Sequence, residues 1–121
     1  MDELIGRLAA KAGIDRAVAE KTAAIVLGFL RKEGPSEPVE ALISRIAGAD
    51  AAIAASNQGA GVSKLMGNGL MAVGTRLMAL GLGMGDIKTI ARELLKFGRD
   101  KIGADQMGKI IAGTPGLSQF A

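Results

Sequence analysis

The chain has 121 residues and a mass of 12.3 kDa, with 49% hydrophobic and 22% charged residues, and this balance predicts a single folded domain over residues 1–121. It contains no His, Cys, Trp or Tyr, which excludes histidine and thiol catalysis, zinc sites and iron–sulfur clusters; we predict neither an enzyme nor a bound cofactor or metal. The net charge of +3, from 15 basic and 12 acidic residues, favours anionic partners but does not predict nucleic acid by itself.

The first half of the chain, residues 1–56, begins with two predicted helices. Asp2 can cap the first helix, which Gly13 ends. Asp15 can cap the second, which runs to about Lys32 before a glycine and a proline. Both segments carry apolar residues at helical spacing. These positions are Leu4, Ile5, Leu8, Val18, Thr22, Ile25, Val26 and Phe29.

Two shorter helices complete this half. Ser36 opens the third helix, which tolerates Pro38 in its first turn and ends before Gly48. Asp50 can cap a brief fourth helix over residues 51–55. The inward positions of the third helix are Val39, Leu42, Ile43 and Ile46.

The second half, residues 62–121, follows a flexible connection at 57–61. We predict a glycine-rich helix from about Val62 to Leu82, a helix capped by Asp86 that extends to about Ile102, and a last helix over residues 105–112. No segment has the alternation typical of a strand. The fold class is therefore all-α, a compact bundle of about five to seven helices.

The two halves are self-similar. A shift of 68 residues superimposes Gly13, Ala23, Leu27, Phe29 and Arg31 on Gly81, Ala91, Leu95, Phe97 and Arg99, and a shift of 65 superimposes Ile46-Ala47-Gly48 on Ile111-Ala112-Gly113. Two explanations stay open, because alanine- and leucine-rich helices also give chance matches. If the similarity reflects a repeat, it predicts two related helical hairpins around a central glycine-rich helix.

A glycine ladder marks that central helix: glycine is second in each of three consecutive groups of seven over residues 66–86. Each glycine costs a helix about 0.8 to 1 kcal/mol relative to alanine, so their repetition predicts a close approach by another helix. On a helical wheel they lie inside the apolar face. The predicted packing face comprises Met66, Gly67, Leu70, Met71, Val73, Gly74, Leu77, Met78 and Gly81.

Four occupants of this ladder face are considered. A helix of the same chain is one, since apolar stripes at helical spacing usually belong to a core. The others are a second copy of the chain, which would give a homo-oligomer, a helix of a different protein, and a flat lipid-like ligand to which the methionines would adapt. The sequence favours a non-catalytic interaction or self-association module.

A second candidate surface is basic. Lys88, Arg92, Lys96 and Arg99 recur at intervals of four, four and three residues, and therefore share one face of a helix. Such a face can bind nucleic acid or another anionic surface. The alternative is an ordinary solvated face softened by nearby acids, Glu93 and Asp100.

Other functions receive less support. Glu37 and Glu40 have no evident partner and are interpreted as a solvated surface pair, not as catalytic acids. Residues 65–85 are poor in charge, but the central Arg76 and the glycines argue against a membrane span. The opening residues lack the features of a secretory signal, so a cytoplasmic location is expected.

Four segments resemble known sequences: Met1-Asp-Glu-Leu-Ile5, Leu27-Gly-Phe-Leu-Arg-Lys-Glu-Gly34, Leu80-Gly-Leu-Gly-Met-Gly85 and Pro115-Gly-Leu-Ser-Gln-Phe120. They are similar to small uncharacterised helical proteins of alphaproteobacteria and, more loosely, to the VcgC/VcgE-like domain family of unknown function. This resemblance implies a bacterial cytosolic helical domain. It implies no activity, ligand or catalytic residue.

Overall fold

The structure, a computed structural model, describes residues 2–56 and 70–114. These residues form seven helices and no strand, which confirms the all-α prediction. The predicted connection at 57–61 and the first part of the glycine-rich helix lie outside the described residues. The helices are α1 Asp2–Ala12, α2 Arg16–Glu33, α3 Ser36–Arg45, α4 Ala49–Ser56, α5 Leu70–Ala79, α6 Met84–Ile102 and α7 Ala104–Gly113.

Local sequence signals account for most helix ends. Asp15 is the residue before α2, as predicted, but its side chain makes no capping hydrogen bond. Asp86 is the third residue of α6, not the residue before it. Its carboxylate accepts a hydrogen bond of 3.2 Å from the backbone N–H of Gly83, which satisfies one free donor at the start of the helix. The helix therefore begins at Met84, three residues earlier than a cap at Asp86 predicts.

A constant shift of 68 residues relates the first three helices to the last three. Applied to the bounds of α1, α2 and α3, it gives 70–80, 84–101 and 104–113, which match α5, α6 and α7 to within one residue. Backbone geometry agrees: Gly13 and Gly81 both have positive φ, at 67° and 93°, and Ile46 and Thr114 have φ of −107° and −106°. We call α1–α3 the first unit and α5–α7 the second unit.

This correspondence extends the predicted similarity from two hairpins to three helices in each unit. It also corrects the predicted shift of 65 residues near the ends of the units. Under the observed correspondence the counterpart of Ile46 is Thr114, since each follows the last residue of its unit's third helix. Residues 111–113 therefore correspond to residues 43–45 at the end of α3, and not to Ile46-Ala47-Gly48.

In each unit the short helix packs against the long helix of the other unit. The short helix α1 contacts α6, the long helix of the other unit, and α5 likewise contacts α2; α1 also packs against α2. The third helices, α3 and α7, contact each other, and α4 lies on α2. Buried apolar side chains from all seven helices form one core cluster. No helix within residues 2–56 and 70–114 is long and apolar enough to cross a membrane.

Candidate functional site

The glycine ladder divides between the core and the surface. Val73 and Leu77 are buried, and α5 packs against α2, so a helix of the same chain covers this half of the predicted face. Gly74 is half-buried, whereas 51% of Met78 is exposed. Only part of the predicted face is therefore core. The predicted members Met66 and Gly67, and the side chains of Leu70 and Met71, lie outside what the structure describes.

Gly81 does not belong to the helix face, contrary to the prediction. The helix α5 ends at Ala79 and does not continue to Leu82. Gly81 has a φ of +93°, its N–H donates to the carbonyl of Met78 at 2.9 Å, and the N–H of Leu82 donates to that of Leu77 at 3.3 Å. These are the two hydrogen bonds of a glycine-terminated helix. Gly81 is thus explained by its left-handed backbone and not by a close helix contact.

Gly74 also lacks the close contact that the ladder predicted within the chain. A Cβ atom added there would meet no described atom within 4 Å. Close approach occurs at glycines that form no sequence pattern. An added Cβ would lie 2.8 Å from Cδ of Pro35 at Gly113, and 2.5 Å from Sδ of Met107 at Gly98. Sequence reasoning missed both positions because their neighbours, Pro35 and Met107, come from other elements of the fold and leave no periodic signal.

The predicted basic face lies on the surface. Lys88, Arg92, Lys96 and Arg99 are all exposed, within an arc of about 80° around α6. The acids expected to soften this face turn towards α1 instead. Arg7 Nε donates to a Glu93 carboxylate oxygen at 2.8 Å, and Arg7 Nη1 lies 3.6 Å from an Asp100 carboxylate oxygen.

Burial and charge at this junction agree with its geometry. Only 10% of the Glu93 side chain is exposed, against 29% for Arg7. The hydrogen bond from Arg7 lowers the pKa of Glu93; burial opposes this shift, and the charges of Arg7, Lys96 and Lys11 add to it. The negative charge of Glu93 is therefore balanced by Arg7. The outward face of α6 keeps its four positive charges.

A further ion-pair network corrects the interpretation of the acids on α3. Glu40 is not a solvated acid without a partner: its carboxylate accepts from Arg31 Nε at 2.9 Å. Arg31 Nη1 also donates to Asp50 on α4 at 3.1 Å. The hydrogen bond with Glu40 raises the pKa of Arg31. These contacts join α2, α3 and α4, and Glu40 has a structural explanation.

An enclosed apolar space lies beside the buried half of the ladder face. It has a volume of about 40 Å³, against roughly 300 to 1,000 Å³ for common ligand pockets. Its size argues against the lipid-like ligand as an occupant of this part of the core. Among the described residues, no group of three or more acids could hold a metal ion. The side chains that line the apolar space include Val26, Phe29, Val73, Leu77, Ile90 and Leu94.

Comparisons with known proteins returned no matching family model, no matching curated protein and no matching solved structure. The resemblance to alphaproteobacterial helical proteins and to the VcgC/VcgE-like domain family therefore stays a prediction. The candidate functions depend on the two helix faces alone: the exposed part of α5 around Gly74 and Met78, and the basic face of α6.

Proposed function

We propose that the protein is a non-catalytic helical module that self-associates through the outer face of α5. A single observation carries this proposal: Gly74 is open and Met78 is exposed beside it, on a helix whose adjacent side, with Val73 and Leu77, is in the core. Met78 lies one helical turn after Gly74, so the two share one edge of α5. An exposed methionine next to a glycine offers an apolar contact and room for another backbone.

A second copy of the chain is the occupant that this strip suits best. Gly74, Thr75, Met78 and Ala79 bring no charge to it, so two copies can meet without like-charge repulsion. A two-fold dimer requires such self-compatibility because each copy contributes the same patch. By contrast, the exposed face of α6 carries four positive charges and would repel itself.

The displaced pKa values support a non-catalytic role. Among the described residues the shifts fall on Arg7, Arg31 and Glu93, and each of these groups has an ion-pair partner that explains its shift. None lies in a cleft where a displaced pKa would point to acid–base catalysis. We extend the proposal to a bacterial, cytoplasmic setting, which depends on the sequence resemblance alone.

Light scattering coupled to size-exclusion chromatography tests the proposal over a range of protein concentrations. We expect the wild-type mass to rise towards twice the 12.3 kDa of the chain as concentration increases. Met78→Glu should keep the protein monomeric, because a carboxylate would be desolvated at the contact. A wild-type protein that is monomeric at every concentration would contradict the proposal.

The chain offers a matched control. Ala10 is the counterpart of Met78 under the 68-residue shift and is exposed on α1. Ala10→Glu adds the same charge at the equivalent helix position and should leave self-association unchanged. If both variants abolish association equally, added negative charge is the cause and α5 is not the interface.

A further inference from the structure

The correspondence between the units shows which face of α2 matches the basic face of α6. Under the 68-residue shift, Lys88, Arg92, Lys96 and Arg99 correspond to Glu20, Ala24, Gly28 and Arg31. Two cationic positions of α6 are therefore small in α2. The two long helices share a backbone plan and differ in the surface that they present here.

In the first unit, α4 covers this face. A Cβ atom added at Gly28 would lie 3.6 Å from Cγ2 of Ile53, and Arg31 pairs with Asp50 at 3.1 Å. Ala24, one turn before Gly28, is buried. The small residues on α2 thus allow an apolar helix of the same chain to lie against it.

In the second unit, the matching face is exposed and positively charged. Lys88, Arg92 and Arg99 make no ion pair with any described residue, and the nearby Glu93 is neutralised by Arg7. Lys11 of α1 is also exposed, and it lies close enough to Glu93 to lower the pKa of that carboxyl. Lys11 therefore extends the positive surface beyond α6. Overall the second unit has seven basic and four acidic residues, and the first unit has seven of each.

We propose that the basic face of α6 binds the phosphate backbone of double-stranded nucleic acid without regard to sequence. Its four cations follow one another along a rigid helix over about 17 Å, at a rise of 1.5 Å per residue. A single file of cations suits a phosphate backbone or a groove that admits a helix. This inference is independent of self-association through α5.

Two observations favour a duplex over other anionic partners. Single-strand binding normally uses exposed aromatic rings, but the two aromatic residues within 2–56 and 70–114, Phe29 and Phe97, are both buried. Membrane-surface binding normally uses apolar side chains among the cations. One large apolar side chain, Met84, is exposed one turn before Lys88, but from Lys88 to Arg99 none is exposed, so the cations are not interleaved with apolar groups.

Fluorescence anisotropy with a labelled duplex of about 20 base pairs of random sequence tests the proposal at several salt concentrations. Four phosphate contacts predict that affinity falls about 150-fold between about 50 and 200 mM salt. Arg92→Ala combined with Lys96→Ala leaves two contacts, for which the fall becomes about 12-fold. A change of slope, and not only weaker binding, is the expected signature.

The control removes the same charge elsewhere. Lys21 and Arg45 are exposed on α2 and α3, and replacing both with Ala should leave the salt slope at its wild-type value. Equal slopes for the two double variants would overturn the proposal, because total charge would then explain binding. Absence of any anisotropy change at about 50 mM salt, with protein in large excess, would also overturn it.

Phosphatidylserine vesicles provide the remaining comparison in a sedimentation assay at the same low salt. We expect the duplex to be bound more tightly than the vesicles. Binding to the vesicles without binding to the duplex would overturn the proposal in favour of a membrane surface. Circular dichroism of each variant checks that the helix content, and thus the display of the face, is preserved.

Discussion

The first and second units share their helix bounds and differ in what lies on their long helices. The helix α2 presents Gly28 to α4 and carries a buried Ala24 one turn earlier, whereas α6 presents Arg92 and Lys96 to solvent. The same helical arrangement therefore supports both an intramolecular contact and an open charged surface. Side-chain size and charge at a few matched positions distinguish the two outcomes.

The short helices differ in the same way. In α1, Leu8 is buried and Arg7 forms an ion pair with α6; their counterparts in α5 are Arg76 and Thr75. The helix α1 packs against both long helices, and α5 packs chiefly against α2. The inner side of α5 is less apolar than that of α1 and also less buried, since Arg76 is half-buried where Leu8 is fully buried.

Exchanging matched residues between the long helices should have the largest effect. Ala24→Arg would place a guanidinium at a buried position of α2, and we expect it to lower the free energy of unfolding by about 3 kcal/mol, since a buried charge without a partner is costly. The reciprocal Arg92→Ala should change it by less than about 0.5 kcal/mol, because Arg92 is exposed. Urea unfolding monitored by circular dichroism measures both values.

Similar costs for these two variants would contradict the proposed difference between the faces. If Ala24→Arg were tolerated, this position of α2 would not be buried. If Arg92→Ala were strongly destabilising, the α6 cations would contribute to folding and not only to a surface. Either result would remove the contrast on which the basic-face proposal depends.

The ion pair between α1 and α6 should give an intermediate effect. Arg7 and Glu93 correspond to Thr75 and Ile25 under the 68-residue shift. The substitutions Arg7→Thr and Glu93→Ile therefore introduce the residue types of the matched positions. Arg7→Thr alone should cost about 1 to 3 kcal/mol, because Glu93 is left buried without its donor. Adding Glu93→Ile should recover much of the loss, since it removes the buried carboxylate that has lost its donor. Thermal unfolding of the wild type, the double variant and the single variants Arg7→Thr and Glu93→Ile gives the coupling energy.

This pair also predicts a dependence on pH. The pKa of Glu93 is lowered in the folded state from an ordinary value of 4.5. The contribution of the pair to stability is therefore complete above about pH 4.5 and is lost as pH falls through the lowered pKa. The destabilisation by Arg7→Thr should be largest near pH 7 and should shrink near pH 3. A deficit that does not change with pH would show that the loss comes from packing.

Local signals predicted the fold better than the candidate sites. Gly13 and Gly103 act on the backbone where they lie, so the ends of α1 and α6 were predictable. The glycine ladder misled because a helical wheel treats Gly81 as part of one continuous helix, whereas its positive φ ends α5. The neutralisation of Glu93 depends on Arg7, which lies 86 residues away, and helix periodicity carries no information about such a pair.

The smallest expected effect tests whether Gly74 is open in the monomer. Because a Cβ atom would meet no described atom within 4 Å, Gly74→Ala should raise the free energy of unfolding by up to about 1 kcal/mol through helix propensity. The same substitution at Gly113 should lower it by about 1 to 3 kcal/mol, because the rigid Pro35 ring lies 2.8 Å from the added atom.

Unfolding of Gly74→Ala measured at low and high protein concentration separates the monomer from a dimer. A gain at low concentration that becomes a loss at high concentration would support a partner copy packed against Gly74. A loss at every concentration would mean that the site is already filled within one chain, and self-association through α5 would have to be abandoned.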